Sequence, residues 1–238
     1  MSGKTDILLS NLRRCAEKYD MIPDKSRVLC AVSGGKDSLA LAYGLRRLSA
    51  FYPAAFTVSA VTVDMGFDNV DFGPLAAFFK ENGIPYEIIR TEIGKAVSEL
   101  EKPCSLCARM RRAALCDHAV KNGFDRLALG HTEDDAAETA LMNLLYGGRV
   151  YTLEPTTKYE DRSLTLIRPL LTTNERLIRS LVSELSLPVM KNPCGRESDS
   201  ARDEIRKIIK ETDKTCRGTA HRIAKAMISC ADKAHIGR

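Results

Sequence analysis

The chain has no apolar stretch near the roughly 20 residues that a membrane-spanning helix needs. Its first 20 residues contain Asp6, Glu17 and Asp20 and no apolar run leading to a small-residue cleavage site, so no signal peptide is expected. These absences make the cytoplasm the expected location and give a membrane no part in its function. There is no internal repeat and no low-complexity tract. Cysteine is not scarce, with eight residues at 15, 30, 104, 107, 116, 194, 216 and 230. A disulfide framework is nevertheless not expected in a cytosolic chain of this size, and most of the cysteines read as small apolar fillers.

A length of 238 residues suffices for one α/β domain with a sizeable core and a small extension. The expected division is a main domain over 1–200 and a basic helical segment over 201–238. The net charge of +5 is concentrated. Ala201 to Arg238 holds ten Lys or Arg against five Asp or Glu, a surplus equal to the whole excess. Lys102 to Arg126 holds six basic and two acidic residues. Each cluster reads either as a solvated helix face or as a surface for a polyanion.

Apolar runs and helical periodicities alternate along the chain. Strands are expected over Arg27–Val32, Phe56–Val63, Tyr86–Arg90, Arg126–Leu129 and Leu164–Ile167. Helices are expected over Ile7–Tyr19, Ser38–Leu48, Phe72–Asn82, Cys104–Asn122, Glu133–Tyr146 (stopped by Gly147-Gly148) and Asn174–Leu185, with Asn174 as cap. Basic helices follow over Ala201–Lys214 and Thr219–Ala231. The pattern predicts an α/β fold: a five-stranded parallel sheet with helices on both faces, plus an N-terminal helix and basic C-terminal helices. Ligands of such sheets sit at the carboxyl ends of the strands, where the loops after the first, second and fourth strands fall.

The first loop is Ser33-Gly34-Gly35-Lys36-Asp37-Ser38, after Ala31 and Val32 and before a helix. Two glycines let the backbone approach an anion and take positive φ. The backbone N–H groups at the helix start form a concave anion site, to which Ser33, Ser38 and Lys36 add hydroxyls and a charge. Asp37 is a candidate metal-facing carboxylate. Asp64 ends the second strand, as a nucleotide contact or as a strand-end cap. The loop lacks Walker A spacing and resembles the SGGxDS loop of the PP-loop, or N-type, ATP pyrophosphatases. That resemblance implies an adenine-nucleotide-hydrolase-like, Rossmann-like fold and a site for ATP with magnesium.

Leu129-Gly130-His131-Thr132-Glu133-Asp134-Asp135, continued by Ala137-Glu138-Thr139, follows the fourth strand. Gly130 permits close backbone approach, His131 can stack on or hydrogen-bond a base or phosphate, and Asp134 and Asp135 stand at a helix start as caps or magnesium ligands. The string resembles the GHxxDDxxET signature of tRNA-modifying PP-loop enzymes. GMP and NAD synthetases lack it. The resemblance leaves lysidine synthetases and tRNA thiolation enzymes.

Cys104 and Cys107 form a C-x2-C pair at a helix start, where thiolate pKa is expected to fall. Such a pair serves zinc, redox or cluster chemistry, but zinc in a closed site wants four ligands. Cys194 stands apart in the turn Asn192-Pro193-Cys194-Gly195. Three thiolates match a [4Fe–4S] cluster with one open iron. The set Cys104, Cys107 and Cys194 resembles that of the TtcA-like tRNA 2-thiocytidine synthetases. The match runs through Cys104–Arg112, Asn143–Gly148, Ile167–Leu170 and the Pro193-Cys194 turn, over about residues 20–210. It implies that Cys104, Cys107 and Cys194 hold the cluster, that Lys36, Asp37 and these cysteines are the reactive set, and that Asp37 and Asp135 face magnesium. Ser33 to Ser38, with Ala31, Val32, Asp64, Gly130, His131 and Asp135, would hold ATP. Arg109, Arg111 and Arg112 read as RNA-phosphate contacts or as structural ion pairs.

The implied reaction adenylates the C2 carbonyl of a tRNA base, cytidine in the anticodon loop, and replaces its oxygen with sulfur. Implied partners are tRNA, a sulfur donor (a cysteine desulfurase or sulfide) and a second copy in a homodimer. Uridine thiolation, lysidine formation, a zinc-stabilised structural site and a non-catalytic sulfur-handling or nucleotide-binding role remain as alternatives.

Overall fold

The computed structural model describes residues 3–98, 100, 103–191, 193–194 and 200–236, with backbone alone at 200 and 231–236. Lys102 of the basic cluster and Asn192 and Gly195 of the cysteine turn lie outside the described residues. The elements in chain order are α1 (Gly3–Lys18), β1 (Ser26–Ala31), α2 (Lys36–Leu48), β2 (Phe56–Asp64), α3 (Gly73–Glu81), β3 (Tyr86–Arg90), α4 (Ile93–Val97) and α5 (Cys104–Lys121). They continue with β4 (Arg126–Ala128), α6 (Glu133–Gly147), β5 (Thr156–Tyr159), β6 (Leu164–Ile167), α7 (Glu175–Glu184), α8 (Ser200–Thr215) and α9 (Thr219–Ile236).

Alternation along the strands makes two cores, one on each side of the sheet. Val28 and Cys30 of β1, Val58 and Ala60 of β2 and Ile167 of β6 face one side, packed with Leu8, Leu12, Leu39, Leu45 and Ile178 from α1, α2 and α7. Leu29, Val61, Val63, Leu127 and Leu166 point the other way, onto Ile93 and Val97 of α4 and Leu115 and Ala119 of α5. The period of two in the strands is thereby satisfied on both faces, as parallel sheets require.

The sheet has six strands in the order β3-β2-β1-β4-β6-β5, and this corrects the expected five. β1 to β4 and β6 pair in parallel, while β5 runs antiparallel to β6 at the edge, Thr157 opposite Leu166. The sequence of β5 is short and polar, and its backbone is ordered by pairing with β6 rather than by an apolar face of its own. That is why no hydrophobic pattern announces it. α4 was also not anticipated. Its single turn and a half gains order from Ile93 and Val97 packing beneath the sheet.

The remaining boundaries fall within two residues of the expected ones, except at the N-terminus of α1 and the C-terminus of α9. Asn174 caps α7 by accepting a hydrogen bond from the Leu177 N–H at 2.9 Å, and α6 ends with Gly148 left-handed at φ 57°. α8 and α9 pack on α6, burying Ile205, Ala224 and Ile228. No helix among the described residues is long and apolar enough to cross a membrane. The strand order reverses direction between β1 and β4, so the crevice opens there, at the carboxyl edge.

Candidate functional site

Both motif loops leave the sheet at this crevice. Val32 still belongs to the sheet, its N–H bonded to the Val61 carbonyl at 2.8 Å. The chain then turns through Gly34 at φ 79° into α2. A Cβ on Gly130 would sit 3.0 Å from the Ser38 nitrogen. A glycine at the end of β4 is therefore what lets the first turn of α2 approach. Within the loop the Ser38 hydroxyl donates to the Gly35 carbonyl at 2.8 Å and accepts from the Ser33 N–H at 3.2 Å, while the Gly35 N–H donates to Ser33 Oγ at 3.3 Å.

Three helices begin around this crevice, and their ends are treated differently. α6 carries a capping box: Asp135 Oδ2 accepts from the Thr132 N–H at 2.8 Å and the Thr132 hydroxyl accepts from the Asp135 N–H. α7 is capped by Asn174, and Asp134 Oδ2 accepts from the Glu175 N–H at 2.7 Å. α2 alone of the three has no side-chain cap, because its N-cap is Gly35. Its first N–H groups, which no helix can satisfy internally, are left for an anion.

Lys36 Nζ lies 2.8 Å from Asp37 and 2.6 Å from Glu175, a carboxylate that the sequence reading missed. Burial disfavours the Lys36 ammonium, but these two bonds outweigh it and hold its pKa above the ordinary lysine value. Burial raises the Asp37 pKa despite Lys36, and the nearby Asp135 and Glu175 carboxylates raise it further. Asp37 Oδ1 is buried with no hydrogen-bond partner. An unpartnered carboxylate oxygen within reach of other carboxylates suits a hard divalent cation, which takes oxygen ligands.

Asp64 stands at the same edge, but its Oδ1 accepts from the Gly66 N–H at 2.9 Å, so it also serves as a strand-end cap. His131, at the end of β4, has a buried Nδ1 without a partner. Burial first, then the guanidinium charges of Arg168 and Arg112, push its pKa down to about 4, so the imidazole is neutral at physiological pH.

The other acids of the second motif act as struts. Glu133 meets His221 of α9 at 2.9 Å, and Glu138 meets Arg206 of α8 at 2.7 Å. They tie the C-terminal helices over the site. A cleft of about 1220 Å³ lies between, walled by Glu133, Asp134 and Glu175 on one side and by Arg206, Lys210, Lys214 and Arg217 on the other; it touches the phosphate loop at Lys36 alone.

The cysteine side is more open. Cys104 and Cys107 begin α5, one turn apart, with Cys104 exposed and Cys107 and Cys194 half-buried. Cys107 lies within electrostatic range of both Cys104 and Cys194, so the fold brings together thiols that are 87 residues apart in the chain (107 to 194). Burial raises the Cys107 pKa, with Arg111 opposing. This corrects the expectation that the helix start lowers it, because desolvation outweighs the exposed helix end. Among the described residues no three Cys, His, Asp or Glu side chains converge tightly enough for a single metal ion. A cluster is wider than one ion, and three soft thiols on one surface are the donor set it takes.

Arg109, Arg111 and Arg112 are exposed and have no carboxylate partner among the described residues. The backbone joins the two sides: the Met190 N–H donates to the Gly34 carbonyl at 2.9 Å, four residues before Cys194. Cys15, Cys30 and Cys116 are core residues as expected. Cys216 and Cys230 are exposed, so the filler reading fails for them.

A Ser-Gly-Gly-Lys-Asp-Ser turn between strand and helix, at the switch point of a largely parallel sheet, defines a PP-loop protein. Residues 8–212 match the PP-loop domain family. The chain is 35% identical over 200 residues to the tRNA-cytidine(32) 2-sulfurtransferase of Bdellovibrio bacteriovorus, covering 82% of this chain and 77% of that one. It is 31% identical over 240 residues to the protein of the same name from Pseudomonas putida, covering 97% and 88%. Among solved structures, the U34-tRNA thiolase NcsA from Methanococcus maripaludis, with its [4Fe-4S] cluster, superposes with a TM-score of 0.78 at 25% identity, covering 96% of this chain and 80% of that one. The NH3-dependent NAD synthetase of Campylobacter jejuni shares the fold alone, with a TM-score of 0.52 at 18% identity. The chain belongs to the PP-loop family, on its tRNA-cytidine(32) 2-sulfurtransferase branch.

Proposed function

We propose that this protein thiolates tRNA at the expense of ATP, with cytidine as the target base. The observation that carries the reading is the uncapped N-terminus of α2, set beside the unpartnered Oδ1 of Asp37 and on the same sheet edge as Cys104, Cys107 and Cys194.

ATP binds as substrate with its pyrophosphate end on Ser33–Ser38 and its adenosine against Ala31, Val32 and Asp64. The base carbonyl attacks the α-phosphorus, the bond to the β-phosphate oxygen breaks and pyrophosphate leaves. Lys36 and the α2 N–H groups stabilise the charge that builds on it. Asp37, with Asp135 nearby, is the residue that would hold magnesium. Sulfur then replaces the adenylated oxygen, and AMP departs. Cys104, Cys107 and Cys194 would hold a [4Fe–4S] cluster, which supplies an open iron where sulfide binds.

Arg109, Arg111 and Arg112 contact RNA phosphates beside the reacting base, and the basic segment 201–238 extends that surface beyond the ATP-binding unit, 1–200. A homodimer in the cytoplasm, supplied by a cysteine desulfurase or by sulfide, completes the proposal. The cytidine assignment rests on relatives with 30% identity or more. The uridine reading is favoured by the thiolase neighbour.

The test is nucleoside analysis of tRNA incubated with anaerobically prepared protein, ATP, magnesium, sulfide and lysine, alongside iron and AMP determination. Appearance of 2-thiocytidine with AMP supports the proposal. 2-Thiouridine moves the assignment to the second reading. Lysidine, or zinc in place of iron, refutes both.

A further inference from the structure

Arg168 follows β6 directly and is 7% exposed. Its Nη1 donates to the Glu154 carbonyl at 2.6 Å and to Thr157 Oγ1 at 3.1 Å, both neutral acceptors. Its Nε is buried with no partner, and no carboxylate among the described residues pairs with it. A guanidinium removed from water at this cost is ordinarily matched by an anion.

β6 pairs with β4, and the Leu129 N–H still bonds to the Ile167 carbonyl at 2.9 Å. The residues that leave these two strands therefore emerge side by side: His131 from β4 and Arg168 from β6. His131 Nδ1 is also buried without a partner. Arg112, exposed on α5 five residues beyond Cys107, is near enough that its charge acts on both His131 and Arg168. Two cations and a neutral imidazole thus lie close together; the Asp135 carboxylate acts on His131 and the Glu154 carboxylate on Arg168, but neither is hydrogen-bonded to them, and Arg168 Nε and His131 Nδ1 stay without a partner. The phosphate loop lies across β4 from these groups, on the β1 side.

We infer that Arg168, Arg112 and His131 form a second phosphate-binding site, at the carboxyl ends of β4 and β6, distinct from the phosphate loop. Its geometry suits one phosphate rather than a polyphosphate. Arg168 is fixed by the Glu154 carbonyl and Thr157 through Nη1, which leaves Nε to donate once, His131 Nδ1 offers one donor or acceptor, and Arg112 adds a charge within electrostatic range of both. Two sources carry that chemistry: the phosphodiester beside the target nucleotide, and the α-phosphate of ATP. The identity of the carrier rests on the thiolation reading; the existence of the site does not.

The test uses the full chain, in wild-type form and as Arg112→Gln and Arg168→Lys. Histidine side-chain NMR follows a titration with inorganic phosphate. The His131 resonances are expected to move saturably, with half-saturation raised about tenfold or more in each variant. Unchanged half-saturation in the variants overturns the site. If Arg168→Lys does not fold, Arg112→Gln, altered at an exposed position, decides alone.

Affinities for ATP and for unmodified tRNA then name the carrier. Weaker tRNA binding, with the slope of log affinity against log salt reduced by about one, assigns the phosphodiester. Weaker ATP binding with that slope intact assigns the α-phosphate. Wild-type protein that binds no tRNA sinks the thiolation reading and leaves the phosphate titration to judge the site.

Discussion

Around the phosphate loop, hydroxyls, carbonyls and helix caps are bonded to one another, and Lys36 is held between two carboxylates. Across the same edge, Cys104 is exposed and Arg109, Arg111 and Arg112 project without carboxylate partners among the described residues. On the proposed function, the difference follows from what each side would handle. A triphosphate is stabilised best by donors fixed in advance, which do not reorganise as charge moves. A large RNA must be admitted, so its contacts stay solvated until it arrives. The Met190–Gly34 hydrogen bond links the two sides through the backbone.

The sharpest test of that division is to remove one side and measure the other. Alanine at Cys104, Cys107 or Cys194 should abolish thiolation while ATP affinity changes less than about twofold, because none of the three shares a hydrogen-bond network with the phosphate loop among the described contacts. Nucleoside analysis and calorimetry on the same preparations check this, and retained thiolation in all three variants would break the comparison.

The reciprocal change, Asp37→Asn, should lower tRNA-dependent AMP release by about a hundredfold or more, the scale on which charge-organising groups act. Bound iron should stay unchanged. Undiminished AMP release would remove Asp37 from the mechanism.

Gly130→Ala probes the packing that shapes the loop. The added methyl meets the α2 backbone at 3.0 Å, so stability should fall by about 1–3 kcal/mol and ATP affinity with it. Denaturant unfolding with and without ATP separates the two losses.

The smallest effect concerns His131. Its pKa is lowered from 6.5 to about 4 by folding, so below pH 6.5 the unfolded chain takes up a proton that the native state refuses. The stability it contributes is complete above pH 6.5 and is lost as pH falls through about 4. Urea midpoints for wild-type and His131→Gln protein should therefore converge between pH 7 and 4.5. Parallel curves would show that the imidazole is not held neutral.

The strand–helix alternation, the Ser33–Ser38 turn, the Asn174 cap and the Gly147-Gly148 stop were legible in the sequence. Each is set by a few consecutive residues whose φ, hydrogen-bonding groups or periodicity act locally. The C-x2-C pair was legible for the same reason, since a spacing of three on a helix fixes which face both thiols share.

Strand order was not legible, and most of what the tertiary structure decided follows from it. Placing β1 beside β4 opens the crevice, and placing β6 beside β4 brings Arg168 to His131. The acid string shows how far side-chain roles depend on such neighbours. Spacing alone leaves Asp134 and Asp135 as either helix caps or magnesium ligands. In the folded chain Asp134 bonds the first N–H of α7, Asp135 closes a capping box, and Glu133 and Glu138 hold α9 and α8. A carboxylate bonds whichever donor packing brings to it. Those donors come from segments 40 to 90 residues away, at separations of 41 for Asp134, 68 for Glu138 and 88 for Glu133. A few consecutive residues set the anion-binding turn and the thiol pair; which buried charges are matched within the chain and which, like Arg168, lack a carboxylate partner follows from long-range packing.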